Sequence, residues 1–176
     1  MKILIVYGST EGQTRKIARY AADRFAAEGH AVELLPAAEA EDVAVEGFDA
    51  VLAAGSIHAG HYQESLFDFV ERNADALAGV KTLFLSVSLS AAGDDPDDWR
   101  GIEECATRFC EATGWSPGRV EHVAGALKFS EYDFFRYWAM RWIASRKDEE
   151  AKPGEDKEYT DWSKLAAVLD DWAAGS

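Results

Sequence analysis

The sequence predicts a doubly wound α/β domain, and three features of its 176 residues indicate that fold class. Five short apolar stretches have the β-branched, uninterrupted composition of strands that are buried on both faces. Stretches with apolar residues at helical spacing lie between these strands. Right-handed crossovers in a chain of this length then favour one domain, 1–176, whose five-stranded parallel sheet has the order 2-1-3-4-5.

The first half of the chain is predicted to hold three strands and two helices. Lys2–Tyr7 is a continuous apolar run without polar alternation, which is typical of a buried parallel strand. Thr14–Glu28 carries apolar residues at every fourth position, and a glycine follows this amphipathic helix. Ala31–Leu35 and Ala50–Ala54 are shorter apolar strands, and Glu64–Leu77 has one apolar stripe at helical spacing.

The second half continues the alternation. Thr82–Val87 is the fourth strand, and Trp99–Thr113 is a helix with an apolar stripe. Arg119–Ala124 is the fifth strand. Asp161–Ala174 fits the helical period closely, and Thr160 is its predicted N-terminal cap.

A long insertion, about residues 128–158, separates the fifth strand from the last helix. Residues 128–147 contain five basic and two acidic residues, so this segment has a net charge of +3 in a chain of net charge −14. Its aromatic residues are Phe129, Tyr132, Phe134, Phe135, Tyr137, Trp138 and Trp142. Two interpretations stay open for 129–146: contact with a membrane surface, where aromatic and arginine side chains prefer the interface, or packing over the sheet or against another subunit.

Composition excludes several classes of protein. An isoelectric point near 4.6 opposes binding of nucleic acid, because an acidic surface repels phosphate backbones. The acidic surface also suits docking to basic redox partners, although solubility alone would explain it.

The sequence shows neither a signal peptide nor a membrane span, so we expect a cytoplasmic protein. Cys105 and Cys110 have neither CxxC nor zinc spacing, which predicts reduced thiols that pack one helix face, and no metal site; the alternative is a reactive thiol.

The loop after the first strand is suited to a phosphate group. Its sequence, Gly8-Ser9-Thr10-Glu11-Gly12-Gln13-Thr14, offers three hydroxyl groups and runs into a helix whose N-terminus favours an anion. The loop contains no lysine or arginine before Arg15, and neither GxGxxG nor GxxxxGK[ST] is present, which disfavours a Rossmann dinucleotide site and a P-loop NTPase. The alternative is an ordinary helix cap. The predicted phosphate-side contacts are Ser9, Thr10, Glu11, Gly12, Gln13 and Thr14.

The motif Ile5-Val6-Tyr7-x-Ser9-x-x-Gly12-x-Thr14-x-x-x-Ala18 resembles the phosphate-loop signature of the flavodoxin-like family, which binds the 5′-phosphate of FMN. Other segments resemble one branch of that family, the menaquinone-dependent protoporphyrinogen oxidases of bacteria. They are Gly55-Ser56-Ile57-His58-Ala59-Gly60-His61-Tyr62, Trp115-x-Pro117, Ala124-Gly125-Ala126-Leu127 and Tyr159-Thr160-Asp161-Trp162. The resemblance covers nearly the whole chain, and it implies a flavodoxin-like fold, FMN and a quinone-linked oxidation.

Two stretches depart from that branch. Members tend to carry basic residues after strand four and often an arginine after strand three. This chain has Asp94, Asp95, Asp97 and Asp98 at the first place and His58-Ala59 at the second. Because porphyrinogens carry carboxylates, these aspartates would disfavour such a substrate unless they point away from the site.

The resemblance implies a flavin ring between the loops that follow strands three and four. The predicted ring contacts are Ser56, Ile57, His58, Ala59, Gly60 and Tyr62 from one loop and Ser88, Leu89, Ser90 and Ala91 from the other. Tyr62 either stacks on the ring or packs at the start of the next helix. His58 and His61 are the candidates for relaying a proton to reduced flavin, and the alternative for each is a solvated loop position.

These features predict an FMN-dependent oxidoreductase. By resemblance, it passes reducing equivalents from protoporphyrinogen IX, an intermediate of heme biosynthesis, through the flavin to a quinone. One alternative is a flavodoxin-like electron carrier that meets basic partner proteins, although a carrier has no need of the long aromatic insertion. Another is an NAD(P)H:quinone reductase, which the lack of a recognisable nucleotide site disfavours. Contact through 129–146 would place the protein peripherally on the inner face of the membrane.

Overall fold

The structure of the chain is a computed structural model, and it describes residues 1–127 and 156–175. The two interpretations of 129–146 therefore lie outside the described residues. In the described ranges, no helix combines the length and the apolar composition needed to cross a membrane.

Five parallel strands form the central sheet in the order β2-β1-β3-β4-β5, which confirms the predicted fold class. The strands are β1 Lys2–Gly8, β2 Ala31–Pro36, β3 Ala50–Ser56, β4 Lys81–Ser88 and β5 Val120–Ala124. Register aligns Gly8 with Gly55, and Gly55 with Ser86, at the carboxyl ends of three adjacent strands. The loops that follow β1, β3 and β4 consequently meet at one edge of the sheet.

Helices cover both faces of this sheet. They are α1 Gln13–Ala27, α2 Glu64–Arg72, α3 Ala74–Leu77, α4 Pro96–Thr113 and α5 Trp162–Ala174. One core cluster joins the Ile5 side of the strands to Ile17 of α1 and Leu169 of α5. The other joins the opposite side, including Phe84, to α2 and to Phe109 of α4. Because successive strand residues alternate between faces, a strand buried in both clusters must be apolar throughout.

Two of the predicted helices differ from the observed ones by more than one residue at a boundary. The helix expected over Glu64–Leu77 is divided at Asn73, whose Nδ2 donates to the Phe69 carbonyl at 2.8 Å. Helix α4 begins before Trp99, because Asp95 caps it and Pro96 occupies its first position.

The cap of α5 is Asp161, not Thr160. The Asp161 carboxylate accepts from the Lys164 N–H at 2.9 Å. Thr160 is buried and instead donates its hydroxyl to the Ala124 carbonyl at 2.6 Å. The tertiary hydrogen bond removes Thr160 from the capping position that its residue type suits.

A short antiparallel ribbon forms the base of the insertion. Its strands are β6 Ala126–Leu127 and β7 Lys157–Glu158, with Leu127 opposite Lys157. The Tyr159 N–H donates to the Gly125 carbonyl, and the Gly125 N–H donates to the Ser88 carbonyl, both at 3.0 Å. The ribbon therefore lies beside the carboxyl end of β4, next to the predicted cofactor loops.

Candidate cofactor-binding site

The loop between β1 and α1 leaves the N-terminus of a helix without a side-chain cap. Gly12 occupies the N-cap position with φ +89°, a left-handed conformation that glycine adopts without strain. Its N–H donates to Ser9 Oγ at 3.0 Å, and a Cβ built on Gly12 would meet nothing within 4 Å. Asp95 and Asp161, by contrast, cap α4 and α5. The first-turn N–H groups of α1 thus face an open concave loop, as an anion site requires.

The predicted phosphate-side residues differ in how far they are exposed to solvent. Thr10 and Gly12 are exposed, Ser9 and Glu11 are half-buried, and the Thr14 side chain is buried at the start of α1. Gln13 is turned away from the loop.

The Gln13 amide is directed to the base of the insertion. Its Nε2 donates to Glu158 Oε2 and to Thr160 Oγ1, each at 2.9 Å. The predicted contact of Gln13 with a phosphate is consequently restricted to its backbone N–H. Its side chain couples α1 to β7.

The loop after β3 contains a tight reverse turn. His58 and His61 exchange both backbone hydrogen bonds, at 2.8 and 3.0 Å. Ala59 and Gly60 between them have φ values of +49° and +80°, the pattern of a type I′ turn. From α4, Cys105 donates its thiol to the Gly60 carbonyl at 3.2 Å. This contact holds the turn against the body of the domain.

The two cysteines are free thiols on α4, as predicted. Burial raises the pKa of Cys105, and it raises the pKa of Cys110 to about 11. Both groups are therefore protonated near neutral pH and unsuited to nucleophilic chemistry.

Gln63 connects the phosphate loop to the loop after β3. Its Nε2 donates to Thr10 Oγ1 at 3.0 Å, to Ser56 Oγ at 2.7 Å and to the Ser56 carbonyl at 3.2 Å. Its Oε1 accepts from the Ser56 N–H at 3.2 Å. Sequence reasoning missed this residue. The available signal was a glutamine at the N-cap of α2, a position that favours Ser, Thr, Asp or Asn.

The two candidate histidines occupy different environments. His58 is half-buried, with Nε2 3.1 Å from Ser56 Oγ, whereas His61 is exposed. Burial lowers the pKa of His58, so its imidazole is neutral near pH 7.

Tyr62 packs at the start of the next helix, which is one of the two positions expected for it. Its ring lies 5.1 Å from the Phe84 ring and 4.9 Å from the Phe109 ring, measured between centroids. Its hydroxyl lies 2.7 Å from Ser86 Oγ, and burial raises the pKa of the phenol. Tyr62 is therefore part of the core behind the loop.

The third loop follows β4. Ser88 Oγ accepts from the Ala91 N–H at 3.2 Å, which closes a tight turn over Leu89 and Ser90. A cleft of about 320 Å³ separates this turn from the end of β5 and the start of α5. His122 lines the cleft, and its buried Nδ1 has no hydrogen-bond partner within the described ranges.

The aspartates after β4 are engaged at the start of α4. The Asp95 carboxylate accepts from the Asp97 and Asp98 N–H groups at 2.9 and 3.3 Å. Asp97 forms an ion pair with Arg100 at 3.0 Å. Carboxylates at this end of a helix are stabilised by its dipole. Asp95 and Asp97 thus have a structural role at the start of α4.

The residues present fit a phosphate-bearing cofactor. Hydroxyl groups, a left-handed glycine with open space above it and an uncapped helix N-terminus provide neutral donors to a phosphate. The polar 56–61 and 88–91 loops lie at the same edge of the sheet. In the described part of the chain, no group of three or more His, Cys, Asp or Glu residues could hold a metal ion.

Comparisons with known proteins agree with this geometry. Residues 4–153 match the flavodoxin domain model. The chain is 29% identical over 166 residues to protoporphyrinogen IX dehydrogenase [quinone] of Escherichia coli, a match that covers 94% of this chain and 91% of that protein. A protein of the same name from Leishmania major is 27% identical over 177 residues, covering 98% of this chain and 75% of that protein.

The fold also resembles solved structures. A flavodoxin of Pseudomonas aeruginosa, solved as a cysteine-to-serine mutant, superposes with a TM-score of 0.52 at 22% identity. The superposition covers 82% of this chain and 95% of that one. It supports the order of strands and helices described above.

Proposed function

The chain belongs to the flavodoxin domain family, and from that premise we propose that it is an FMN-dependent oxidoreductase. In this proposal it passes reducing equivalents from a porphyrinogen-like substrate through the flavin to a quinone. The observation that carries the proposal is the uncapped α1 N-terminus, joined through Gln63 to the loop after β3. The names of the two relatives, protoporphyrinogen IX dehydrogenase [quinone], support the choice of substrate and acceptor.

The phosphate of FMN would be held by neutral donors. The hydroxyl groups of Ser9, Thr10 and Thr14 and the first-turn N–H groups of α1 would bind it. Lys16, the lysine closest to the loop in sequence, is engaged with Glu158 at 2.6 Å. In this proposal the helix N-terminus and the hydroxyl groups, and not Lys16, hold the phosphate.

The ring would lie between the loops 56–61 and 88–91. Bound FMN supplies the redox chemistry, and the protein supplies orientation and hydrogen bonding. The tight turns at His58–His61 and Ser88–Ala91 would fix the backbone groups that face the ring edge in this proposal. Cys105 and Tyr62 support the first turn from the core side.

His58 is the better of the two candidates for holding a proton near the ring. Burial keeps its imidazole neutral near pH 7, so Nδ1 and Nε2 include one donor and one acceptor. Its Nε2 is already within hydrogen-bond distance of Ser56 Oγ. His61 is exposed, which favours the solvated alternative for that residue.

The base of the insertion borders the phosphate loop. Glu158 of β7 accepts hydrogen bonds from Gln13 and Lys16 of α1. Strand β7, which lies beside the phosphate loop, is the point at which the chain returns from the aromatic, net-positive segment. We assign to this segment the recognition of an apolar, anionic substrate or of the quinone, and peripheral membrane contact through 129–146 would bring a membrane quinone within reach.

A stopped-flow experiment under anaerobic conditions tests the proposal. The FMN-loaded protein is mixed separately with protoporphyrinogen IX, with NADPH and with a reduced ferredoxin, and the flavin absorbance is followed. We expect bleaching by protoporphyrinogen IX and recovery of the absorbance when a menaquinone analogue is added. Bleaching by the ferredoxin alone would contradict the proposal and favour an electron carrier, and bleaching by NADPH alone would favour an NAD(P)H:quinone reductase.

A further inference from the structure

We propose that Gln63 orients two hydroxyl groups of the cofactor site in opposite directions. The Thr10 proton is directed to the phosphate of FMN, and the Ser56 proton is directed to His58. This inference rests on the FMN site proposed above, and it makes Gln63 a positioning residue that allows the protein to distinguish FMN from riboflavin.

The orientation of the Gln63 amide is determined by the backbone of Ser56. The Ser56 N–H donates to Oε1 and the Ser56 carbonyl accepts from Nε2, both at 3.2 Å. Exchanging the amide oxygen and nitrogen would place donor against donor and acceptor against acceptor. The nitrogen of the amide therefore faces Thr10 and the Ser56 hydroxyl.

An amide nitrogen can only donate, and this fixes the roles of both hydroxyl groups. Thr10 Oγ1 lies 3.0 Å from Nε2 and Ser56 Oγ lies 2.7 Å from it, so each oxygen accepts. Nε2 has two protons, and the carbonyl and hydroxyl of Ser56 share one of them. Each hydroxyl proton must then point away from Gln63 and is available for another acceptor.

The two protons meet different acceptors. Thr10 is exposed in the phosphate loop, so its proton faces the place proposed for the phosphate. Ser56 Oγ lies 3.1 Å from His58 Nε2, which accepts when the imidazole carries its proton on Nδ1. Because a hydroxyl group that accepts a hydrogen bond becomes a stronger donor, Gln63 strengthens both interactions.

Gly8, at the end of β1, leaves room for the Gln63 side chain because it has no Cβ. A Cβ built on Gly8 would lie 2.8 Å from Gln63 Oε1 and 3.0 Å from Gln63 Cβ. The substitution Gly8→Ala would therefore displace Gln63, and to a smaller extent Leu66, whose Cβ would lie 3.2 Å away, without changing any hydrogen-bonding group. It gives a second, independent way to test the role of Gln63.

The critical variant is Gln63→Glu, which has nearly the same shape and reverses the hydrogen-bond polarity. A carboxylate only accepts, so Thr10 and Ser56 would turn their protons toward it and away from the phosphate and His58. It would also repel the phosphate. We expect its dissociation constant for FMN to rise about tenfold or more, and its constant for riboflavin, which has no phosphate, to change by less than about threefold.

Flavin fluorescence measures both constants by titrating the apoprotein of each variant with FMN and with riboflavin. Gln63→Met removes the donors without adding charge and should reduce the FMN preference to a smaller extent, as should Gly8→Ala. Asn73→Asp is the matched control, because it exchanges an amide for a carboxylate at the α2–α3 junction and should leave the preference unchanged. Circular dichroism establishes that each variant is folded.

The outcomes separate this inference from the proposed function. A selective loss of FMN affinity in Gln63→Glu, Gln63→Met and Gly8→Ala supports the inference. Equal losses for FMN and riboflavin, or an unchanged preference, would overturn it, because Gln63 would then only space the two loops. Failure of the wild-type apoprotein to bind FMN would overturn the proposed function as well.

Discussion

Lys16 Nζ lies 2.6 Å from Glu158 Oε2, and this ion pair ties the second turn of α1 to the strand at which the chain returns from the insertion. The same carboxylate accepts from Gln13 Nε2 at 2.9 Å and from Trp162 Nε1 at 2.8 Å. One acidic side chain thus joins the phosphate-loop helix, the base of the insertion and the last helix.

Replacing Glu158 with Gln should destabilise the domain by about 1 kcal/mol at pH 7, because it weakens three hydrogen bonds at a partly exposed carboxylate. Burial acts to raise the pKa of Glu158, but the bonds from Lys16, Gln13 and Trp162 outweigh it and hold that pKa below 4.5. The native state therefore favours the ionised carboxylate, and its stabilisation should be complete above the ordinary pKa of 4.5 and lost as the pH falls through the lower pKa of the folded state.

Urea unfolding of the wild type and of Glu158→Gln, at pH 7 and pH 3, measures this effect. Glu33→Gln is the control, because it removes an exposed ion pair, that of Glu33 with Lys2 at 3.1 Å. A difference in unfolding free energy that persists unchanged at pH 3 would contradict the role given to the ionised carboxylate.

Gly55 should not tolerate a side chain. A Cβ built there would lie 2.5 Å from Leu66 Cδ2 and 2.9 Å from Tyr62 Cδ1, both packed in the core behind the candidate site. We expect Gly55→Ala to lower the free energy of unfolding by about 1–3 kcal/mol.

Gly101→Ala should have the opposite effect. Gly101 lies within α4, and a Cβ there would meet nothing within 4 Å, so alanine should stabilise the helix by about 0.5–1 kcal/mol. Thermal unfolding compares the two variants. Similar shifts of the same sign would show that contacts behind Gly55 do not determine the response.

Asp95→Ala should cost about 0.5–2 kcal/mol, because it removes the side-chain cap from the first turn of α4. Asp95→Asn retains an oxygen that can cap the helix and should cost less. Denaturant unfolding measures the difference between them. If Asn were as destabilising as Ala, the charge of Asp95 would matter more than its hydrogen bonds to Asp97 and Asp98.

His58 should titrate below its ordinary pKa of 6.5, because burial disfavours the charged imidazole. In the unfolded chain the same group takes up a proton near pH 6.5. The contribution of neutral His58 to the free energy of unfolding should therefore be fully present above that pH and decrease as the pH falls below it. Proton NMR of the imidazole gives the midpoint, and His58→Asn identifies the resonance. A midpoint at or above 6.5 would contradict the burial described here.

The strands were predictable because burial on both faces requires an unbroken apolar run. Lys2–Tyr7 and Thr82–Val87 were therefore found within one residue of their ends. The start of α4 was not predicted, because Asp95, which caps the helix, lies in a stretch of aspartates that is also typical of an acidic loop. Thr160 and Asp161 are both capping residue types, and only the tertiary bond from Thr160 to Ala124 decides between them.

The candidate site was predictable only where it is local in sequence. The phosphate loop follows directly from β1 and precedes α1, so its residues and its function can be inferred together. The contacts of Gln63 with Thr10 span 53 residues, and those of Gln13 with Glu158 span 145. No periodicity or spacing rule relates such positions, so both glutamines required the folded structure.

The ribbon of Ala126–Leu127 and Lys157–Glu158 has a consequence for how proteins of this kind can diversify. Neighbouring strands lie about 5 Å apart, so Leu127 and Lys157, which flank residues 128–155 in sequence, are adjacent in space. A segment of any length with adjacent ends could be grafted there while the five-stranded sheet kept every one of its pairings. In the function proposed above, a substrate-recognition segment could then be exchanged independently of the loops that would hold the cofactor.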